Sequence, residues 1–484
     1  MNPEQARKLV KETFTQPFDR SRFLGFIGNL VNHIDESKAF PCNHKYVKDA
    51  FKPHIRRYER LASYTAPDQC KIDLMVVYLT DEAKLTRART ALRNFVADYL
   101  KQRGQKDAAL VAFVSPSEAA WRFSYVKMEY ATVEKASGEV GVETRLTPAR
   151  RFSYIVGPGE SCHTAQTRFL SLLQNTQSDP ALAEIEEAFS VEAVTKEFFE
   201  RYKQLFLEVK EALDKLAAEN KAIGTEFATK KVSTIDFAKK LMGQIVFLYF
   251  LQKKGWLGVA KGGEWGTGPH DFLRELANGK FGKRENFFND TLEPLFYDTL
   301  ATDRGHEAYC DLFKCRIPFL NGGLFEPLND YDWRKTAILL PNELFTNNQP
   351  LKSVKGVEEG ITGTGILDVF DRYNFTVNEA EPLEKEVAID PEMLGKVFEN
   401  LLEVKERKSK GSFYTPREIV HYMCQESLIN YLDTAVNKEG QIVPRMEIEA
   451  LIHSGDRIAH YDAVNANHGI EMPPAIKPNA RALD

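Results

Sequence analysis

The sequence predicts an α/β region over residues 1–175 followed by a mainly helical region over 176–375, and two patterns carry that prediction. Residues 72–79 and 108–114 are short apolar runs rich in β-branched side chains, with a strongly amphipathic stretch between them, which is strand–helix–strand character. Beyond about residue 180, apolar positions recur at helical spacing through long charged stretches.

Taken in order, Met1-Asn-Pro-Glu opens an amphipathic helix and has no apolar core of the kind a signal peptide needs. Residues 122–130 alternate as a third strand. In the helix between the first two strands, Leu85, Ala88, Leu92, Phe95, Val96 and Tyr99 form the expected buried face. That leaves Arg87, Arg89, Arg93, Lys101 and Arg103 outside. From Lys84 to Lys106 there are seven basic residues against one acid, Asp98. Such a face is either solvated or suited to DNA phosphates. Residues 184–221 read as helix, and 236–255 as a long central helix ended by Gly255, with Phe247, Tyr249, Phe250 and Trp256 expected in the core.

Composition bounds the rest. The 484 residues are 43% hydrophobic with a formal net charge of −5, so any nucleic-acid contact must come from local patches rather than a basic coat. The cysteines at 42, 70, 162, 310, 315 and 424 show no paired metal-ligand spacing, and reduced thiols with no metal site are expected. The most apolar run, 241–251, is too short to span a bilayer. A cytoplasmic protein without a membrane partner is expected.

Residues 411–424 read Gly-Ser-Phe-Tyr-Thr-Pro-Arg-Glu-Ile-Val-His-Tyr-Met-Cys. Thr415 is a good N-cap, Pro416 suits the first helical position, and Glu418 sits where a capping box places its carboxylate. Ile419, Val420, Met423, Cys424, Leu428 and Leu432 follow at helical spacing and predict one buried stripe. Upstream, Asp390-Pro391 opens another capped helix with Leu394, Val397, Phe398, Leu401 and Leu402 on its apolar face, followed by a basic loop to Lys410. The glycines at 360, 363 and 365 follow charged residues instead of an apolar strand and read as a flexible loop.

The 411–424 run resembles the motif, often numbered ten, that precedes the S-adenosylmethionine-binding sheet of adenine-N6 DNA methyltransferases. The likeness is to the large polypeptides of type IIG restriction–modification enzymes and related phage-exclusion systems. Their Leu-Gly-x-Val-Phe-Glu-x-Leu-Leu helix and basic loop have a counterpart at Leu394–Leu402, and the runs 247–256 and 319–326 are similar to their helical segment. The resemblance implies that residues 376–484 begin a class I S-adenosylmethionine-dependent methyltransferase domain. It further implies that Tyr414, Thr415 and Pro416 line the methionine side of the cofactor pocket, and that the substrate is double-stranded DNA.

Methylating an exocyclic adenine amine requires a flipped base held by an Asn/Asp-Pro-Pro-Tyr/Phe tetrapeptide in this family. The only Pro-Pro here is Pro473-Pro474, without that acceptor or ring. No catalytic methyltransferase residue is therefore assigned, and the chain is expected to be the N-terminal part of a longer or split enzyme, inactive alone, with a separately encoded remainder as its partner if the enzyme is split. Type IIG proteins often add a metal-dependent nuclease at the N-terminal side. Lys71 and Asp73 are the candidates for such a site, with Mg²⁺ required only on that reading, although Asp73 lies two residues after Lys71 where the motif needs its acid earlier. A degenerate, structural domain is the expectation. The alternatives are a non-enzymatic DNA-binding or assembly subunit, and a Mg²⁺-dependent endonuclease.

Overall fold

The computed structural model describes residues 1–453 except 84, 86–87, 103–105, 135–139, 283–284, 321, 354–355, 378–382, 392–416 and 438–442. Helices α1 (Pro3–Phe14) and α2 (Arg20–Val31) come first, and Asn2 caps α1 by a reciprocal box with Gln5, which satisfies two end N–H groups. Strands β1 (Phe40–Cys42), β2 (Ile55–Thr65), β3 (Lys71–Leu79), β4 (Ala108–Val114), β5 (Trp121–Glu134) and β6 (Val140–Val156) follow, with α3 (Arg89–Gln102) between β3 and β4. Neighbours pair antiparallel except β3 with β4, which are parallel. A parallel pair needs a crossover, and α3 is that crossover.

β3 has helices on both faces. Ile72, Leu74 and Val76 meet the core that contains α1 and α2, whereas Met75, Val77 and Leu79 meet the core beneath α3. Its near-continuous apolar sequence is what a strand covered on both sides requires. The β2–β3 turn closes through Ala66 N–H to Cys70 O at 2.9 Å, with Gln69 in a left-handed conformation at φ 65°.

After β6 the chain enters α4 (His163–Gln174), α5 (Leu182–Ala188), α6 (Val191–Glu219), α7 (Lys221–Lys230), α8 (Thr234–Lys253), α9 (Phe272–Ala277) and α10 (Ile366–Phe370). The 184–221 stretch is not one helix: it breaks at Phe189–Ser190, where the Ser190 hydroxyl accepts from Ala193 N–H and caps α6. The α8 prediction holds, and Gly255 after it has φ 67°. Tyr249 and Phe250 are buried, but Phe247 and Trp256 are each 37% exposed, so the core expectation fails for those two. Phe247 sits on the solvent side of α8 against Phe325, and Trp256, past the helix end, lies beneath Lys254.

Two features differ from a division into separate regions. The α1/α2 face of the sheet and the helices through α10 share one continuous apolar core. A seventh strand, Glu384–Glu386, then returns to pair parallel with β6, so the sheet draws on residues beyond 375. The glycines at 360–365, expected as a loop, lie partly in strand Gly356–Thr362, paired with Pro350–Ser353; cross-strand pairing orders a segment whose local composition signals only flexibility. The helix Arg417–Val436 forms, but its expected buried stripe does not. Ile429 and Leu432 are buried against the helix Arg445–His453, while Ile419, Val420, Met423 and Leu428 are exposed, as is Cys424.

Candidate functional site: a basic cleft around Asp73

Asp73 lies on β3, on the face that carries α3, and has no exposed surface. A carboxylate there needs its lone pairs filled. Ser63 Oγ on β2 donates to it at 3.0 Å and Tyr99 OH on α3 at 2.8 Å. Arg60 NH1 and Lys106 Nζ stand at 3.2 Å from its two oxygens. The β2–β3 register places Ser63 directly across from Asp73, and the crossover brings Tyr99 over it from above.

Arg60 is held three ways: by Asp73, by the Lys38 carbonyl at 2.7 Å from Nε, and by the Phe40 ring with its guanidinium carbon 4.6 Å from the centroid. Asp35 pairs through its backbone with Ser63. The hydroxyl and backbone of Ser37 hold the Asp35 carboxyl below the usual carboxylate range. Asp35, Arg60 and Ser63 line a cleft of about 600 Å³ with His33, Ile34, Lys38, Thr65, Lys71 and Lys106. Lys71 is exposed and binds Asp107 through its backbone N–H at 2.7 Å, not through its ammonium.

The two nuclease candidates therefore fall in one cleft, but Asp73 does not fit a Mg²⁺ ligand. Two cations and two hydroxyl donors already occupy its oxygens, and among the described residues no group of three or more His, Cys, Asp or Glu is placed to hold a metal. Arg60, Ser63 and Lys106 were not legible as partners, because pairing register and a crossover, not sequence spacing, bring them together.

The basic face expected on α3 divides. Lys101 is exposed. Arg93 is 1% exposed and the Arg89 side chain 11%, which corrects their expected outward placement. Both reach Glu384, at 3.5 and 3.3 Å, and Arg151 joins it at 3.2 Å. Arg122 on β5 meets Glu386 at 3.4 Å. Four buried guanidinium groups thus share two carboxylates. Burial pulls the Arg151 guanidinium down to about 10, with Glu384 opposing that shift. A helix lying across a wide sheet covers more than its apolar stripe, and here the extra width falls on the polar stripe of β5, β6 and the seventh strand. Arg87, Arg103, Tyr414, Thr415 and Pro416 lie outside the described residues.

No helix among the described residues is long and apolar enough to cross a membrane. Over 323 residues the chain is 27% identical to a Methanocaldococcus jannaschii protein that carries the provisional name of type II restriction enzyme and methyltransferase. The match covers 57% of this chain and 25% of that protein, so the chain spans about a quarter of its relative's length. This relationship links the chain to restriction–modification proteins. No family model matches the chain, and no solved structure matches it.

Proposed function

We propose that this chain is part of a restriction–modification or phage-defence protein that methylates adenine at N6 in double-stranded DNA, with S-adenosylmethionine as methyl donor. The observation that carries this reading is the Gly-Ser-Phe-Tyr-Thr-Pro run at 411–416, set before a helix that forms from Arg417. The name of the Methanocaldococcus relative supports the restriction–modification and methyltransferase part of it. On this reading Tyr414, Thr415 and Pro416 contact the methionine part of the cofactor. The cofactor supplies an electrophilic sulfonium methyl, and a flipped adenine amine attacks it while residues outside this chain hold the base. The test is genetic and direct. Deleting the coding sequence should remove N6-methyladenine from one sequence motif of the host genome, read by single-molecule sequencing. A methylome unchanged at every adenine motif would refute the proposal.

A second reading, a DNA-binding or assembly subunit for a separately encoded catalytic partner, is favoured by one feature. Ile419, Val420, Tyr422, Met423 and Tyr431 are between 44% and 69% exposed on one helix, more apolar surface than a solvated helix ordinarily shows. On this reading the purified chain forms a stable complex with the product of an adjacent methyltransferase gene, and a chain that stays apart from it in size-exclusion chromatography argues against a subunit. The Mg²⁺-dependent endonuclease reading is not supported by the surroundings of Asp73.

A further inference from the structure

We infer that the cleft over Asp73 is a docking site for the phosphate backbone of duplex DNA, with Lys38, Arg60, Lys71 and Lys106 as its cationic lining. This deepens the proposed DNA-acting function and rests on it. The charge balance is the first observation. Four cationic side chains line the cleft against Asp35, with Asp73 beneath. One buried carboxylate is neutralised by one cation, yet two converge on Asp73. Among the described residues the Lys71 ammonium forms no ion pair, and Lys38 forms none either, although it stands near enough to Asp35 to help hold that carboxyl down. Together they leave an excess of positive charge in one concavity, in a chain whose overall charge is −5.

Preorganisation is the second. Arg60 is fixed by a carbonyl, a carboxylate and a ring, so little side-chain freedom is lost when an anion arrives. Lys106 is likewise tethered at 3.2 Å to Asp73. Asp73 acts as a positioning residue: it aims two cations at the cleft without touching the ligand.

The lining also selects the kind of anion. Its one apolar side chain is Ile34, and its one ring is the His33 imidazole, held by Asp179 at 2.8 Å, so it offers no run of stacking rings. A free nucleotide needs a surface for its base, and single-stranded nucleic acid needs rings on which bases stack. Backbone phosphates of a duplex need neither, and lysine and arginine at a groove edge serve them well. The sequence-independent contact assigned here would position DNA without reading it.

The experiment measures binding of the full chain to a fluorescein-labelled 20-base-pair duplex by anisotropy over a range of salt concentrations. The double variant Lys38→Gln/Lys71→Gln changes two exposed groups with no ion pair and should fold normally, as circular dichroism would verify. Lys203→Gln/Lys215→Gln, two exposed lysines on α6, makes the same change in net charge far along the chain. The cleft variant should bind at least about fivefold more weakly and lower the log–log salt slope by about 2, since each lost phosphate contact lowers it by about 0.9. The α6 variant should match wild type. Equal binding by wild type and the cleft variant overturns the cleft while leaving a DNA-acting protein intact. Equal weakening by both variants also overturns it, because net charge alone then explains the loss. A wild-type chain with no affinity for the duplex at low salt overturns the cleft and the DNA reading together. Tighter binding to single-stranded oligonucleotide, lost in the same variant, would overturn the assignment to duplex backbone.

Discussion

Replacing Glu384 by Gln should be among the most damaging single changes available in this protein. Its side chain is 1% exposed and lies within 3.5 Å of the guanidinium groups of Arg89, Arg93 and Arg151. Arg122 Nε, Arg122 NH2 and Arg151 NH1 have no hydrogen-bond acceptor among the described residues, and Glu384 Oε1 accepts no hydrogen bond from them, so these arginines depend on the charge of Glu384 more than on formed hydrogen bonds. An amide keeps the shape but removes the negative charge, leaving three buried cations around a neutral group. Removing one partner of a buried ion pair costs about 3–5 kcal/mol, and the shared position of Glu384 places it at the upper end. Urea unfolding followed by the fluorescence of Trp121, buried on β5 beside Arg122, measures the loss. Lys385→Gln in the same strand is the control, with an expected change within about 0.5 kcal/mol. A Glu384→Gln loss below about 1 kcal/mol would refute the reasoning, because it would mean that solvent, not Glu384, balances these arginines.

Three further outcomes are expected. Burial pushes the Glu293 carboxyl up to about 8 from 4.5, despite the donated bond from Tyr331 OH. Its folded value is the higher one, so the stability it contributes is full below about 4.5 and is lost as pH rises through about 8. That gap corresponds to about 5 kcal/mol at 1.36 kcal/mol per pH unit, and Glu293→Gln should abolish this part of the fall in melting temperature between pH 5 and pH 9; parallel wild-type and variant profiles would contradict it. Gly157 has φ 129°, and a Cβ there would come 2.8 Å from the Ala120 backbone, so Gly157→Ala should cost about 1–3 kcal/mol in denaturant unfolding. Asp73→Asn should lower stability by about 3 kcal/mol by stranding Arg60 and Lys106, with no loss of any Mg²⁺-dependent DNA cleavage; cleavage that vanished from a folded variant would revive the nuclease reading.

Local pattern was a good guide wherever one element's own periodicity decided the outcome. The β3, β4 and β5 strands, the helix after β3 and the long α8 were legible because apolar runs and helical spacing encode burial directly. β2 was not, since Arg56, Arg57, Glu59 and Arg60 interrupt its apolar positions; it forms because β1 and β3 supply partners on both sides. Asp73 and Lys71 were singled out from spacing and do fall in the candidate cleft, but their roles changed. The motif spacing suggested a metal ligand and its lysine, whereas the surroundings make Asp73 a hub for two cations.

Residue types close together in the chain were enough to read the α/β-then-helical order and the 411–424 motif. It takes the folded chain to turn Arg89 and Arg93 inward, to close the sheet on β6 with residues 384–386, and to gather Lys38, Arg60, Lys71 and Lys106 in one cleft. Those outcomes depend on charges tens to hundreds of residues apart. A guanidinium reads as surface in any local window, and only the fold shows whether a carboxylate waits for it inside.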